Sequence, residues 1–430
     1  MRSDILIIGA GASGLMAAYT LVKAGKTVAV LEARDRTGGR IHTIEGRGFS
    51  GPVELGAEFV HGDLPVTLGL LKEAGIGYSD VGFEMWQHHN GKLEQSVEFV
   101  EGWDIFLEKL NGLTEDMPIL YFIEQNFAGA QYANMRRQIV DYVSGYDTAD
   151  VKDAGSFALR NEWNHEDEDA QHRIDGGYCR LIDLLAGTVQ DAGNAIYLNS
   201  VVKEIIWERG AVKAITADGT AFEGGKAIVA LPLGVLHNKE GEGAVKFCPP
   251  INEQEKAFSG IGFGSVIKVL LEFDTIFWEK GVADADLSSM GFLFSDEAIP
   301  TYWTQVPERS SLLTGWLGGP PAYLQKDTSA EKVLAMALVS LANIFKTGIE
   351  ELRGRLIAWH VANWTAEPFS LGSYAYDKVE SARARKLLSK PVDNTIFFAG
   401  EYLYEGPAMG TVEAAITNGR DAADSLLQGI

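Results

Sequence analysis

This 430-residue chain has only two cysteines, Cys179 and Cys248. Two distant thiols make no disulfide framework, and without a C-x-x-C spacing they make no thiolate metal site, which fits a reducing compartment. Long apolar runs are missing too. The longest, residues 333–345, is interrupted by Ser340 and Asn343 and falls short of the roughly 20 residues of a membrane span. Basic residues are scarce, 37 against 59 acidic for a net charge of −22, which argues against nucleic acid as a partner. The first apolar strand begins within five residues of Met1, so no signal peptide is expected. What remains is an ordinary globular composition, 46% hydrophobic and 22% charged, at a length that suggests two to three domains.

The richest stretch is residues 4–41. Residues 4–8 read as a short buried strand, followed by Gly9-Ala10-Gly11-Ala12-Ser13-Gly14 and a helical apolar period to Ala24. In that order Gly9 permits the tight turn, Gly11 lets a pyrophosphate approach the backbone, and Gly14 seats the helix close to the strand. A second strand over 27–31 ends in Glu32, at the distance expected of a carboxylate for ribose hydroxyls. A glycine triplet alone also occurs in ordinary turns; strand, helix and acid in register favour a dinucleotide. A second glycine pair, Gly38-Gly39, with Arg40 behind it suits a long diphosphate cofactor carrying a flavin.

With Ala33, Arg34 and the RDRTGGRI segment in place, the sequence resembles the flavin-containing amine oxidases, the family of monoamine oxidases, polyamine oxidases and lysine-specific histone demethylases. Further motifs extend the resemblance. Leu55-Gly56-Ala57-Glu58 resembles the segment that passes beside the flavin, and His61-Gly62 resembles a pair common in polyamine oxidases. Val202 falls at the backbone contact to the adenine. Lys268, in GSVIKVLLEF, resembles the lysine that holds a water against the flavin N5, although a lysine among apolar residues is also a common snorkelling edge residue. Apolar neighbours would disfavour its charged form. Trp364 and Tyr374 resemble the strand and loop that close the site, Tyr374 as one wall of an aromatic cage and Thr411 at the opposite wall. Ser373 stands where monoamine oxidases have the flavin-bonding cysteine. Gly400-Glu401 and Gly410-Thr411-Val412 resemble the second flavin anchor, at a helix N-terminus.

The resemblance implies an α/β fold: a Rossmann-like, glutathione-reductase-like FAD-binding domain (1–76, 174–236, 386–430) and an α+β substrate domain (77–173, 237–385), both discontinuous. It further implies non-covalent FAD, no metal, and oxidation of an amine to an imine with oxygen as acceptor. Polyamines are favoured, on His61-Gly62, Thr411 and the acidic balance. Monoamine or L-amino-acid oxidation is the alternative, and flavin binding without turnover a remote one. Tryptophan monooxygenases and carotenoid or porphyrinogen oxidising enzymes share the fold elements and stay open. The partners expected are a small cationic amine and oxygen, with no nucleic acid or membrane, in a monomer or homodimer. Absence of the family's hydrophobic C-terminal tail leads to an expected cytoplasmic location. Residues 77–173 read as an acidic helical lobe. His88-His89 and the acidic run 161–169 read as solvated polar segments rather than metal ligands.

Overall fold

A computed structural model describes residues 1–82, 84–96, 100, 102–164, 171–280 and 285–429; from residue 165 on, the acidic run lies outside them. Ile5–Ile8 and Val28–Leu31 are short, apolar throughout and buried on both faces, the composition of inner strands in a parallel sheet. They form a five-stranded parallel sheet in the order Ala195–Tyr197, Val28–Leu31, Ile5–Ile8, Lys226–Val229, Ile396–Phe398. Helices Ala12–Lys23 and Val412–Gln428 pack against each other beside it. Their close approach needs Gly419, where a Cβ would lie 2.2 Å from the Ser13 carbonyl oxygen. The two ends of the chain therefore meet at one place.

A seven-stranded sheet forms the second layer, in the order Leu356–Asn363, Val266–Phe273, Leu312–Gly318, Thr301–Trp303, Met290–Ser295, Glu84–His89, Lys92–Ser96. Val266–Phe273 is buried along its whole length and is flanked antiparallel on both sides. The last two strands correct the expectation that residues 77–173 are helical. Their sequence, EMWQHH followed by KLEQS, shows no clean alternation, because a polar residue, His88, fills a buried position next to that of Trp86. Five helices between Trp103 and Trp163 supply the rest of that segment around Phe106, Phe122, Ile139 and Trp163, one of them a single 3-10 turn. Packing also crosses the expected boundaries. Phe247, Phe258, Ala375 and Ala384, from the segment expected in the substrate domain, share a core with Leu6, Ile8 and Phe398 of the parallel sheet.

Among the described residues no single helix is long and apolar enough to cross a membrane. Helix Ala330–Phe345 instead buries Val333, Leu338 and Leu341 against the seven-stranded sheet.

Candidate active site

One continuous cavity of about 880 Å³ runs from the glycine turn, between the sheets, to the edge of the seven-stranded sheet. Its first end is made of backbone. Gly9, at φ +106°, turns with its Cβ position 2.6 Å from the Ala230 carbonyl oxygen, and a Cβ on Gly14 would lie 2.0 Å from the Gly9 oxygen. Gly11 and Gly39 approach so closely that a Cβ on Gly39 would sit 3.2 Å from the Gly11 Cα. Glycine is required at Gly9 and Gly14, and the turn leaves amides and the start of helix Ala12–Lys23 facing the cavity.

Side chains complete the cradle. The Glu32 carboxylate accepts the Ala10 N–H at 2.7 Å and the Arg34 N–H at 3.0 Å. Arg34 is held in turn by Glu367 at 2.5 Å and Ser370 at 2.8 Å. Arg40 donates to Glu401 at 2.7 Å and to the Ser373 carbonyl at 2.5 Å. Two buried oxygens here have no protein partner, Ser13 Oγ and Glu401 Oε2. Buried polar atoms in such a place call for a ligand, and a dinucleotide across helix N-terminus, glycine pair and Glu401 supplies one. Gly38, Gly400, Gly410, Ala12, Ala33, Val202 and Val412 line the same space. The residues present fit FAD. Neither Cys179 nor Cys248 lines the cavity, and Ser373 Oγ shares a 2.7 Å hydrogen bond with Thr148, so nothing there offers a thiolate for a covalent bond.

Lys268 is fully buried and its side chain lines the middle of the cavity. Its ammonium donates to Glu58 Oε2 at 2.6 Å and to the Gly56 carbonyl at 3.1 Å, and lies 5.3 Å from the centroid of Trp303. The sequence shows apolar neighbours; the structure adds a carboxylate. Glu58 lines the cavity as expected, and its other oxygen takes Arg173 at 2.5 Å, so its carboxylate joins two cations. Burial alone would raise the Glu58 carboxyl, but the charges of Lys268 and then Arg173 hold it well below the usual carboxylate range.

Two further expectations change, those for Leu55 and Thr411. Leu55 is buried away from the cavity, its carbonyl accepting Trp364 Nε1 at 2.7 Å, while Trp364 itself lines the wall. Gly14 also lies behind the lining, where it seats the helix against the turn in the packing role its place in the motif gives it. Thr411 lines the cavity, yet its hydroxyl donates to the Ala408 carbonyl at 2.7 Å and accepts the Ala414 N–H at 3.2 Å, capping the last helix. It shapes that end and is chemically occupied. Tyr374 donates its hydroxyl to the Tyr146 carbonyl, and a Cβ on Gly410 would press within 2.9 Å of its ring. Burial, then nearby Asp147, pushes its phenol up. His61 meets the edge of Tyr146 at 5.9 Å, and its Nδ1 has no partner. Burial lowers its pKa to about 4, so the ring is neutral near pH 7.

Beyond Lys268 the register lays out the far compartment. Lys268, Trp316, Thr301, Phe294 and Gln87 occupy one cross-strand row over five strands, all facing the cavity. Four strand spacings make that row ~19 Å long. Phe292 and Trp303 continue the wall at 5.9 Å. Helix Ala133–Gly145 faces it, contributing Arg137, Asp141 and Tyr142. At the rim Arg137 pairs with Asp141 at 3.1 Å and Asp296 at 3.0 Å; His89 also bonds Asp296, and Glu297 lies alongside. Sequence reading left Arg137, Asp141, Asp296 and Arg173 unassigned, since the contacts that join Arg137 to Asp296 and Arg173 to Glu58 span distant parts of the chain.

A glycine cradle for a dinucleotide, joined to a walled compartment carrying a buried lysine, defines a flavoprotein of the oxidoreductase class. The chain belongs to the family of flavin containing amine oxidoreductases, which matches residues 12–427. Human lysine-specific histone demethylase 2 is 28% identical over 93% of this chain, but the chain spans about half the length of that relative (50%). Arabidopsis thaliana polyamine oxidase 2 is 27% identical over 98% of this chain and 87% of its own. Among solved structures, putrescine oxidase bound to putrescine superposes with a TM-score of 0.82, at 21% identity over 100% of this chain and 99% of the other. Cyclohexylamine oxidase from Brevibacterium oxydans IH-35A gives 0.81 at 18% identity, over 99% of each chain.

Proposed function

We propose that this chain oxidises amines with non-covalently held FAD and oxygen, and that polyamines are the preferred substrates. The observation that carries the reading is the single cavity leading from the glycine cradle past Lys268 to a carboxylate-rich rim. FAD held by the glycine turn, Glu32, Arg40 and Glu401 would supply the acceptor for the hydride equivalent of the amine α-carbon, with its reoxidation by oxygen yielding hydrogen peroxide. The protein orients and encloses the reactants. Tyr374, Trp316 and Trp303 give the amine aromatic walls. Lys268, with donors accepted by Glu58 and Gly56, presents a fixed cation that holds a water for hydrolysis of the imine to aldehyde plus amine or ammonia.

The rim carries Asp141, Asp296 and Glu297 against Arg137 and His89, which favours a substrate with a second cation. An amino acid's carboxylate would instead need a spare guanidinium. Arg34, Arg40 and Arg137, the arginines lining the cavity, are all paired with carboxylates. Oxidation requires the neutral amine, so kcat/KM rises toward alkaline pH; His61, neutral across that range, adds nothing to the rise. A peroxide assay over spermine, spermidine, acetylated polyamines, benzylamine, tyramine and amino acids tests the proposal. Polyamines turning over with the highest kcat/KM is the expected result. Preference for a monoamine or amino acid removes the polyamine assignment, and no turnover with bound flavin removes the oxidase.

A further inference from the structure

We propose that Glu58 is the positioning residue for Lys268, fixing its ammonium against the cavity wall and keeping it charged. Glu58 is 8% exposed and Lys268 0%, so neither draws on bulk water. An ammonium has three donors; Glu58 and the Gly56 carbonyl take two, which leaves one N–H for the cavity. The carboxylate is itself fixed from the far side by Arg173 at 2.5 Å and Gln305 Nε2 at 3.3 Å. Arg173 is anchored independently, donating to the Thr304 carbonyl at 2.9 Å with its guanidinium 4.3 Å from the Phe59 ring centroid. Three chain segments distant in sequence thus converge on one carboxylate. Its removal leaves a buried and a partly buried cation without this counter-charge, which is more damaging than losing Lys268, because Glu58 would then still have Arg173.

The charged groups facing Lys268 are Glu58, Arg173 behind it, and Glu54, whose carboxyl burial pushes up to about 7. In Glu58→Gln the shape persists and the counter-charge does not. The buried lysine then sheds its proton on folding, so the unfolded chain binds a proton that the folded one lacks and stability rises with pH. The test is holoenzyme Tm across about pH 6 to about pH 9.5, for Glu58→Gln, Glu58→Asp and Glu58→Gln/Lys268→Met, each repeated with Glu54→Gln to remove that titration. The Tm deficit of Glu58→Gln should shrink at least two-fold across the range, while the other two deficits stay flat. In the same range kcat of Glu58→Gln should lie about ten-fold below wild type, and fall further behind it as pH rises, with the amine KM little changed. A flat deficit in Glu58→Gln, or a kcat profile parallel to wild type, overturns the proposal.

The activity arm rests on the amine-oxidase reading; the Tm arm does not, so failure of each is seen separately. If Glu58→Gln does not fold, Glu58→Asp decides. Its shorter carboxylate should lower kcat with flavin content and pH profile unchanged, and wild-type kcat overturns the proposal.

Discussion

The two ends of the cavity are built by opposite means. At the cofactor end the protein uses what glycine lacks: Gly9 and Gly14 bring backbone within a distance no Cβ allows, and Gly39 turns at φ +61° against Gly11. At the substrate end it uses what long side chains have, with Lys268, Glu58, Arg173, Arg137 and Asp296 meeting across more than a hundred residues of chain in most pairs. A backbone cradle is local, and one added methyl group spoils it. A side-chain network is distributed and fails in proportion to the charge left unpaired.

The comparison breaks most visibly at Gly14. Gly14→Ala puts a methyl 2.0 Å from the Gly9 oxygen, costs ~3 kcal/mol or more by overpacking, and should give colourless protein that takes up no flavin. Flavin content by absorbance decides it, and normal yellow protein would show that the turn can relax. Next, Lys268→Met should keep its flavin and lose turnover by on the order of 100-fold, because Glu58 remains paired with Arg173. Stopped-flow rates equal to wild type in both half-reactions would remove Lys268 from the chemistry. A smaller effect belongs to the rim. Asp296→Asn should lower kcat/KM for spermine about three-fold, as befits a half-exposed charge, leave benzylamine unchanged, and weaken the inhibition of spermine oxidation by added salt. Equal losses for both amines would show that the rim does not read charge. Smallest is Thr411→Ala, expected to cost ~1 kcal/mol in urea unfolding through the lost N-cap with turnover intact; lost turnover would return Thr411 to the chemistry.

How much of this was legible follows the same division. The glycine turn, Glu32, the apolar strands and the final helix were readable because their signals sit within one turn or one strand, where spacing is a direct record of geometry. Thr411 was readable as a position but not as a cap, since that depends on where the helix starts. Glu58 looked like part of the flavin-side segment, and nothing in its neighbours says that an arginine 115 residues later and a lysine 210 residues later will close on it. Strands Glu84–His89 and Lys92–Ser96 escaped for another reason. Burial does alternate there through Trp86 and His88, but Gln87, His88 and His89 are all polar, so a histidine at a buried position erases the period-two signal.

The central claim is that one cavity joins the glycine cradle to an amine compartment. Anaerobic mixing of the purified yellow protein with spermine or spermidine, followed by absorbance, tests it most directly. Rapid bleaching of the flavin is expected, then recovery of colour on adding oxygen with one peroxide formed per flavin reoxidised. Flavin that stays oxidised with every amine tried would contradict it.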